Sequence, residues 1–258
     1  MAADAGVAHI ATADGRRLAY LQVGDPDGPL VIHNHGGPSS RLEVRLLEGS
    51  ATRNGIRLIG VDRPGMGQSS PQKAQSYSGW ADDLVAIADA LGFREFGVTG
   101  WSEGGPWALA AAAYIDPDRL RHVSSIAPGS YGAFGDNSAA QYLSKIDALG
   151  GTLALIQRPD IGTAFGESVA ECFAHGSDGL VRDAELLYRH WAFDVAKIER
   201  PVHLWQGLDD KLVPDPINKA VADAMPGAIW HPVEEAGHFI AVGAGDDIFA
   251  IAAEELRA

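Results

Sequence analysis

Short apolar runs alternate with helix-length patterns along most of this chain, and that alternation limits the fold more than any other feature. "GPLVIHNHGGP", "IRLIGVD", "EFGVTG", "LRHVSSIAP", "PVHLWQG" and "GAIWHPV" read as strands. Between them lie helical stretches. "RLEVRLLEGSATRNG" stops near Gly55, and "SGWADDLVAIADALG" carries apolar residues at Leu84, Ile87, Ala88 and Leu91. "SEGGPWALAAAAYI" and "PDPINKAVADAM" complete the set. Apolar residues three and four apart give a helix one face for a core, whereas a wholly apolar strand needs cover on both sides. Strands separated by helices therefore predict an α/β fold, with a mainly parallel sheet and helices on both faces. The chain begins differently: "HIAT" and "RRLAYLQVG" read as two strands joined near Asp14-Gly15, a strong turn dipeptide. It ends in a mostly helical stretch, "FIAVGAGDDIFAIAAEELRA".

From about residue 129 to 199 the rhythm breaks into several short helices with glycines between them. No linker interrupts the chain, so residues 1–258 read as a single domain with a helical cap inserted at about 129–199. The opening "MAADAGVAHI" has no basic segment followed by an apolar one, and no stretch is apolar for long enough to span a membrane. A single cysteine, Cys172, allows no intrachain disulfide. Together these features predict a cytoplasmic protein without a membrane partner. The net charge of -14 would repel phosphate backbones, so no nucleic-acid partner is expected and the charge serves solubility. No paired Cys/His cluster suggests a metal site; His33 and His35 lie two apart without an evident third ligand.

The stretch "VTGWSEGGPWALAAAA" places Ser102 between glycines where a strand gives way to an alanine-rich helix. Gly100-Trp101-Ser102-Glu103-Gly104 fits G-x-S-x-G, the turn that holds a nucleophilic serine above a sheet. Small residues at 100 and 104 relieve collisions in such a turn, and the free N–H groups of the following helix favour a developing oxyanion. The pentapeptide alone fits a simple helix cap as well; its position between strand and helix favours the nucleophile.

A serine hydroxyl needs a base. Among nine histidines, His238 in "EEAGHFIAVG" follows the last strand and precedes the last helix, which suits a late-chain base. His203 and His231 lie inside strands, where a buried structural role is expected, and His175 and His190 belong to the cap. His33 and His35 come too early to be the base but can shape the loop beside the serine. For the carboxylate that orients the imidazole, "HLWQGLDDKLVPDP" offers Asp209, Asp210 and Asp215. Asp210 is chosen, with Asp215 expected to cap the next helix. Two backbone N–H donors should form an oxyanion hole: Glu103, after the nucleophile, and Gly37 in "HGGP", with Gly36 as its rival. A Glu103 carboxylate pointing inward would oppose an oxyanion, so its side chain is expected to turn away.

"HGGP", "GVDRPGMGQSS", "GWSEGGPWAL", "GLDDKLVP" and "EAGHF" fall in one order from about residue 8 to 257, and in them the chain resembles the α/β-hydrolase superfamily, serine-nucleophile branch. The resemblance implies an eight-stranded, mostly parallel sheet, a helical cap after the sixth strand and a Ser-Asp-His triad. It also implies that Asp62 and Arg63 form a structural turn near the site. "HGGP" is similar to the proline iminopeptidase branch. That branch typically continues with a further glycine and has tryptophan after its serine, where this chain has Ser39 and Glu103.

Substrate choice should lie in the cap, whose apolar residues include Tyr131, Phe134, Tyr142, Leu143, Leu149 and Leu153. Trp101, Gly36, Tyr131 and Phe134 are the expected substrate contacts. The cap acids Asp136, Asp147, Glu167 and Glu171 read as solvated charge, although one of them would suit an ammonium group. The expected activity is cleavage of a small carboxylic ester, a small-molecule substrate, through an acyl-enzyme and without metal or organic cofactor. Proline iminopeptidase-like, lactonase and carbon–carbon bond hydrolase activities share the triad. The reading from another class is a low-turnover small-molecule receptor on the same fold. Paired apolar cap surfaces would make a homodimer.

Overall fold

The computed structural model describes residues 7–135 and 159–258. Its strands are β1 (Ala8–Ala11), β2 (Arg17–Gly24), β3 (Leu30–Asn34), β4 (Arg57–Val61), β5 (Phe96–Trp101), β6 (Leu120–Ile126), β7 (Val202–Gly207) and β8 (Ala228–Val233). They form one eight-stranded sheet in the order β1-β2-β4-β3-β5-β6-β7-β8. β2 runs antiparallel to both β1 and β4, and the remaining pairs are parallel. The antiparallel pairs thus belong to the edge where the sequence signals a hairpin, and Gly15 supplies its turn with φ +84.

The helices are α1 (Glu48–Arg53), α2 (Tyr77–Ala90), α3 (Gly104–Tyr114), α4 (Pro159–Cys172), α5 (Asp178–Tyr188), α6 (Asp215–Ala224), α7 (Ile240–Gly243) and α8 (Gly245–Arg257). They cover the sheet from two sides, as strand alternation requires. Leu30 and Ile32 of β3 join a core with Leu84 and Ile87 of α2 and Leu109 of α3. Val31, between them, joins the opposite core with Ala51 of α1 and Ile248, Phe249 and Ala252 of α8. Two sequence readings need correction. "RLEVRLLEGSATRNG" is not one helix but a 3-10 turn, Arg41–Leu46, followed by α1. Arg41 ties that turn down, because its backbone N–H and its Nη1 each reach Asp62 at 2.6 Å. Asp215 does not cap α6; it lies in the first turn behind Pro214.

β6 and β7 are joined by a long excursion. Its described parts include α4, α5 and a 3-10 turn at Val195–Lys197. Asp136, Tyr142, Leu143, Asp147, Leu149 and Leu153 lie outside the described residues. Among the described residues no helix is long and apolar enough to cross a membrane.

Candidate active site

β5 meets α3 at Ser102, whose φ of +57 is left-handed. A side chain there costs roughly 1–2 kcal/mol, so the surroundings must enforce it. They do so by close approach. A Cβ on Gly100 would overlap the Gly104 carbonyl, and one on Gly104 would overlap the carbonyls of Asn34 and His35. The Ser102 N–H donates to Ile126 O at 2.9 Å, and Ser102 O accepts from the N–H groups of Gly105 (3.0 Å) and Gly129 (2.9 Å). The backbone is held from β6 and the loop beyond it, which leaves the hydroxyl facing His238.

Ser102 Oγ lies 2.9 Å from His238 Nε2, and His238 Nδ1 lies 2.8 Å from Asp210 Oδ2. A carboxylate only accepts, so Nδ1 carries the proton and Nε2 is free to take one from the serine. Asp210 is itself fixed: its Oδ1 accepts from the N–H groups of Leu212 (2.8 Å) and Val213 (2.9 Å). Its neighbour Asp209 is exposed. Trp101 is buried beneath the histidine, and its Nε1 donates to His238 O at 2.9 Å. The loops after β5, β7 and β8 thus deliver three residues to the carboxyl end of the sheet, where ligand crevices open in α/β folds.

The loop after β3 lies beside them. Gly36 N–H donates to both carboxylate oxygens of Glu43, at 3.0 and 3.2 Å, and Glu43 Oε1 accepts from His33 Nε2 at 2.9 Å. Gly36 N–H is therefore occupied. Among the described residues, the N–H groups of Gly37 and Glu103 have no acceptor. His35 Nδ1 donates to Gly36 O at 2.7 Å, while Arg63 donates to the carbonyls of His35 and Gly36 and pairs with Asp183 of α5 at 2.7 Å. Burial, aided by the Arg63 charge, pushes the His35 imidazole well below its usual value and keeps it neutral. Glu43 and Asp183 escaped the sequence reading, because their partners are brought together only by the fold.

Glu103 departs from expectation. Its side chain does not turn away; the carboxyl lies against Gly37, where any Cβ would overlap Oε2. Oε2 is buried without a hydrogen-bond partner among the described residues. Burial pushes this carboxyl up to about 7; the nearby Asp183 charge adds to the rise and Arg63 opposes it.

A cavity of about 460 Å³ opens over Ser102. Gly36, Gly37, Trp101, Glu103, Tyr131 and His238 line it, together with Phe165 and Val169 of α4 and Tyr188 of α5. Phe134 does not belong there. It is half exposed and lines a separate depression with Tyr114 and His190, because the turn after Tyr131 carries it to the outside. Glu167 and Glu171 are not free charges either: they pair with Arg45 (2.7 Å) and Arg41 (2.6 Å).

A second polar cluster lies elsewhere in the molecule. His122 of β6, His203 of β7 and Glu255 of α8 bring ligand-capable atoms within 4.8 Å of one another. Spacing in the sequence could not reveal a group drawn from three distant elements. Each imidazole nitrogen is already engaged. Glu255 accepts from His122 Nδ1 (2.6 Å) and His203 Nε2 (3.0 Å), His122 Nε2 meets Ser124 Oγ (2.9 Å), and His203 Nδ1 meets His231 Nε2 (2.8 Å).

Comparison with known proteins agrees with this architecture. Residues 29–181 match the family model for the alpha/beta hydrolase fold. A proline iminopeptidase of Lacticaseibacillus rhamnosus (strain Lc 705) is 26% identical over 281 aligned positions, covering 93% of this chain and 94% of that protein. Epoxide hydrolase B of Mycobacterium tuberculosis (strain ATCC 25618 / H37Rv) is 33% identical, but over 46% of this chain and 35% of its own length. Among solved structures, an esterase from Exiguobacterium antarcticum superposes with a TM-score of 0.73 at 18% identity, covering 97% of this chain and 99% of its own. An alpha/beta hydrolase fold protein from Nakamurella multipartita gives 0.72 at 24% identity, covering 98% and 99%. With more than half of its length matched by the family model and its sheet ordered as described, this chain belongs to the alpha/beta hydrolase fold family and is a hydrolase.

Proposed function

We propose that the chain cleaves a small carboxylic ester through an acyl-enzyme. The observation that carries this reading is the continuous line from Ser102 Oγ through His238 to Asp210, at 2.9 and 2.8 Å. Ser102 Oγ attacks the ester carbonyl carbon as its proton passes to His238 Nε2. The carbonyl oxygen becomes an oxyanion held by the N–H groups of Gly37 and Glu103. Collapse of this intermediate breaks the carbon–oxygen bond, and the departing alkoxide takes the proton from His238 to leave as an alcohol. Water then attacks the acyl-enzyme with His238 again as base, which releases the carboxylic acid and restores Ser102. Asp210 keeps the imidazole in the working tautomer and stabilises the imidazolium. The segment at about 129–199 acts as the cap that selects the acyl group, and its contributions from Phe165, Val169 and Tyr188 suit an organic substrate of modest size.

A fluorophosphonate probe tests the reading. Labelling should map to Ser102 and vanish in Ser102→Ala and His238→Ala, and Ser102→Ala should fold normally while losing roughly four to six orders of magnitude in kcat. Well-folded protein that is not labelled and turns over no ester, yet shows a ligand-dependent rise in Tm, would favour the receptor reading.

A further inference from the structure

The Glu103 side chain is half-buried with its Oε2 enclosed, and it is an orphan in a neighbourhood where the buried acids are engaged. Glu43 binds His33 and the Gly36 N–H, Asp183 binds Arg63, and Asp210 binds His238. Glu171 is held by Arg41. Among the described residues Glu103 forms no ion pair, its Oε2 meets no donor, and no lysine or arginine lines the cavity. An enclosed carboxylate oxygen without a donor is costly, and a polar group left in that state at the wall of a pocket is what a ligand's opposite charge completes. Room is kept for it: the missing side chain of Gly37 is the space that the carboxyl occupies. Tyr131 and Tyr188, stacked at 5.1 Å between ring centroids, line the same cavity. Aromatic faces beside a carboxylate are a combination that holds ammonium groups.

We propose that Glu103 anchors an ammonium subsite walled by Tyr131 and Tyr188, so that the pocket takes aminoacyl esters or amides rather than neutral acyl groups. The residue that carries the anchor also offers an N–H to the oxyanion. The amine must therefore lie a bond or two from the scissile carbonyl, as in an α- or β-amino acid. Such an amine also neutralises the carboxylate that would otherwise oppose the oxyanion beside it. As a statement about substrate this rests on the serine-hydrolase reading; as a statement about binding it does not.

The surroundings of Glu103 set how its occupancy varies with pH. Arg63, after β4, and Asp183, of α5, face it with opposite charges; Tyr77, Tyr131 and Tyr188 are the nearby phenols, and His238 and Glu43 share the cavity. Since burial holds this carboxyl at about 7, the empty site near neutrality contains both the protonated and the ionised form. An ammonium ligand selects the ionised form, so its binding releases a proton.

Titration calorimetry on the Ser102→Ala protein, with L-alaninamide and its uncharged analogue propionamide as probes, tests the subsite without turnover. L-alaninamide should bind at least tenfold more tightly and release a proton, seen as a heat that depends on the buffer's ionisation enthalpy. In Ser102→Ala/Glu103→Gln the preference should disappear. Equal affinities, or a preference that survives Glu103→Gln, would overturn the subsite. A parallel assay of the unmodified protein compares the p-nitrophenyl esters of L-alanine and propionic acid. A ratio that favours the amine and falls at least tenfold in Glu103→Gln supports the subsite, and a ratio unmoved by the substitution overturns it. Failure to hydrolyse either ester, with the calorimetric preference intact, would instead sink the hydrolase reading and leave the subsite standing.

Discussion

Ser102 is under backbone strain that its neighbours impose. Glycine bears a φ of +57 without penalty, whereas serine and alanine do not. Ser102→Gly should therefore raise unfolding stability by about 1 kcal/mol in urea titrations while abolishing turnover; Ser102→Ala should abolish turnover without that gain. Much of this candidate site is legible in the sequence, since Ser102, His238 and Asp210 each occupy a local pattern of strand, turn and helix. Ser102, His238 and Asp210 could be chosen on that ground. The direction of the Glu103 side chain could not, because it depends on an empty space at Gly37 that faces it across the fold. Phe134 illustrates the same boundary. Its composition suits a pocket, but three residues of turn decide which way it faces.

At the scale of elements, the strands were readable because apolar runs of strand length have few alternatives in an α/β chain. The 3-10 break before α1 was not, since the pull on Arg41 comes from Asp62, twenty-one residues on. α8 is tied to the sheet in a comparable way. Its Glu255 accepts from histidines on both β6 and β7, and these hydrogen bonds outweigh the effect of burial and hold the carboxyl at about 2. Glu255→Ala would leave two imidazole N–H groups without their acceptor and should cost about 2–3 kcal/mol in chemical denaturation. Amide exchange should quicken first in α8.

For the whole molecule, buried and half-buried neutral histidines and one raised carboxyl pull acid sensitivity in opposite directions. Burial holds His35, His122 and His231 below the ordinary histidine value, so the unfolded chain takes up protons at those positions before the folded one does. Their contribution is full above a pH of about 6.5 and is lost as pH drops below it, whereas Glu103, which burial holds at about 7, works in the opposite sense and regains stability as it protonates between about 7 and 4.5. Glu255, depressed relative to an unfolded glutamate, adds a further loss between about 4.5 and 2. Thermal melts across this range should show the loss below about 6.5 lessened by His122→Gln and deepened by Glu103→Gln, with the Glu255 loss following at lower pH.

Arg63 offers a consequence for descent. Its guanidinium is buried; on one side it steadies the carbonyls of His35 and Gly36 beside Ser102, and on the other it meets Asp183 in the excursion between β6 and β7. An excursion borrowed from a relative lacking an acid at that point would strand a cation in the interior, a defect of about 3–5 kcal/mol. The excursion proposed as the cap is thus not an interchangeable module. Recombination within the family must inherit both halves of that pair together, which ties the history of the excursion to the upkeep of the loops around Ser102.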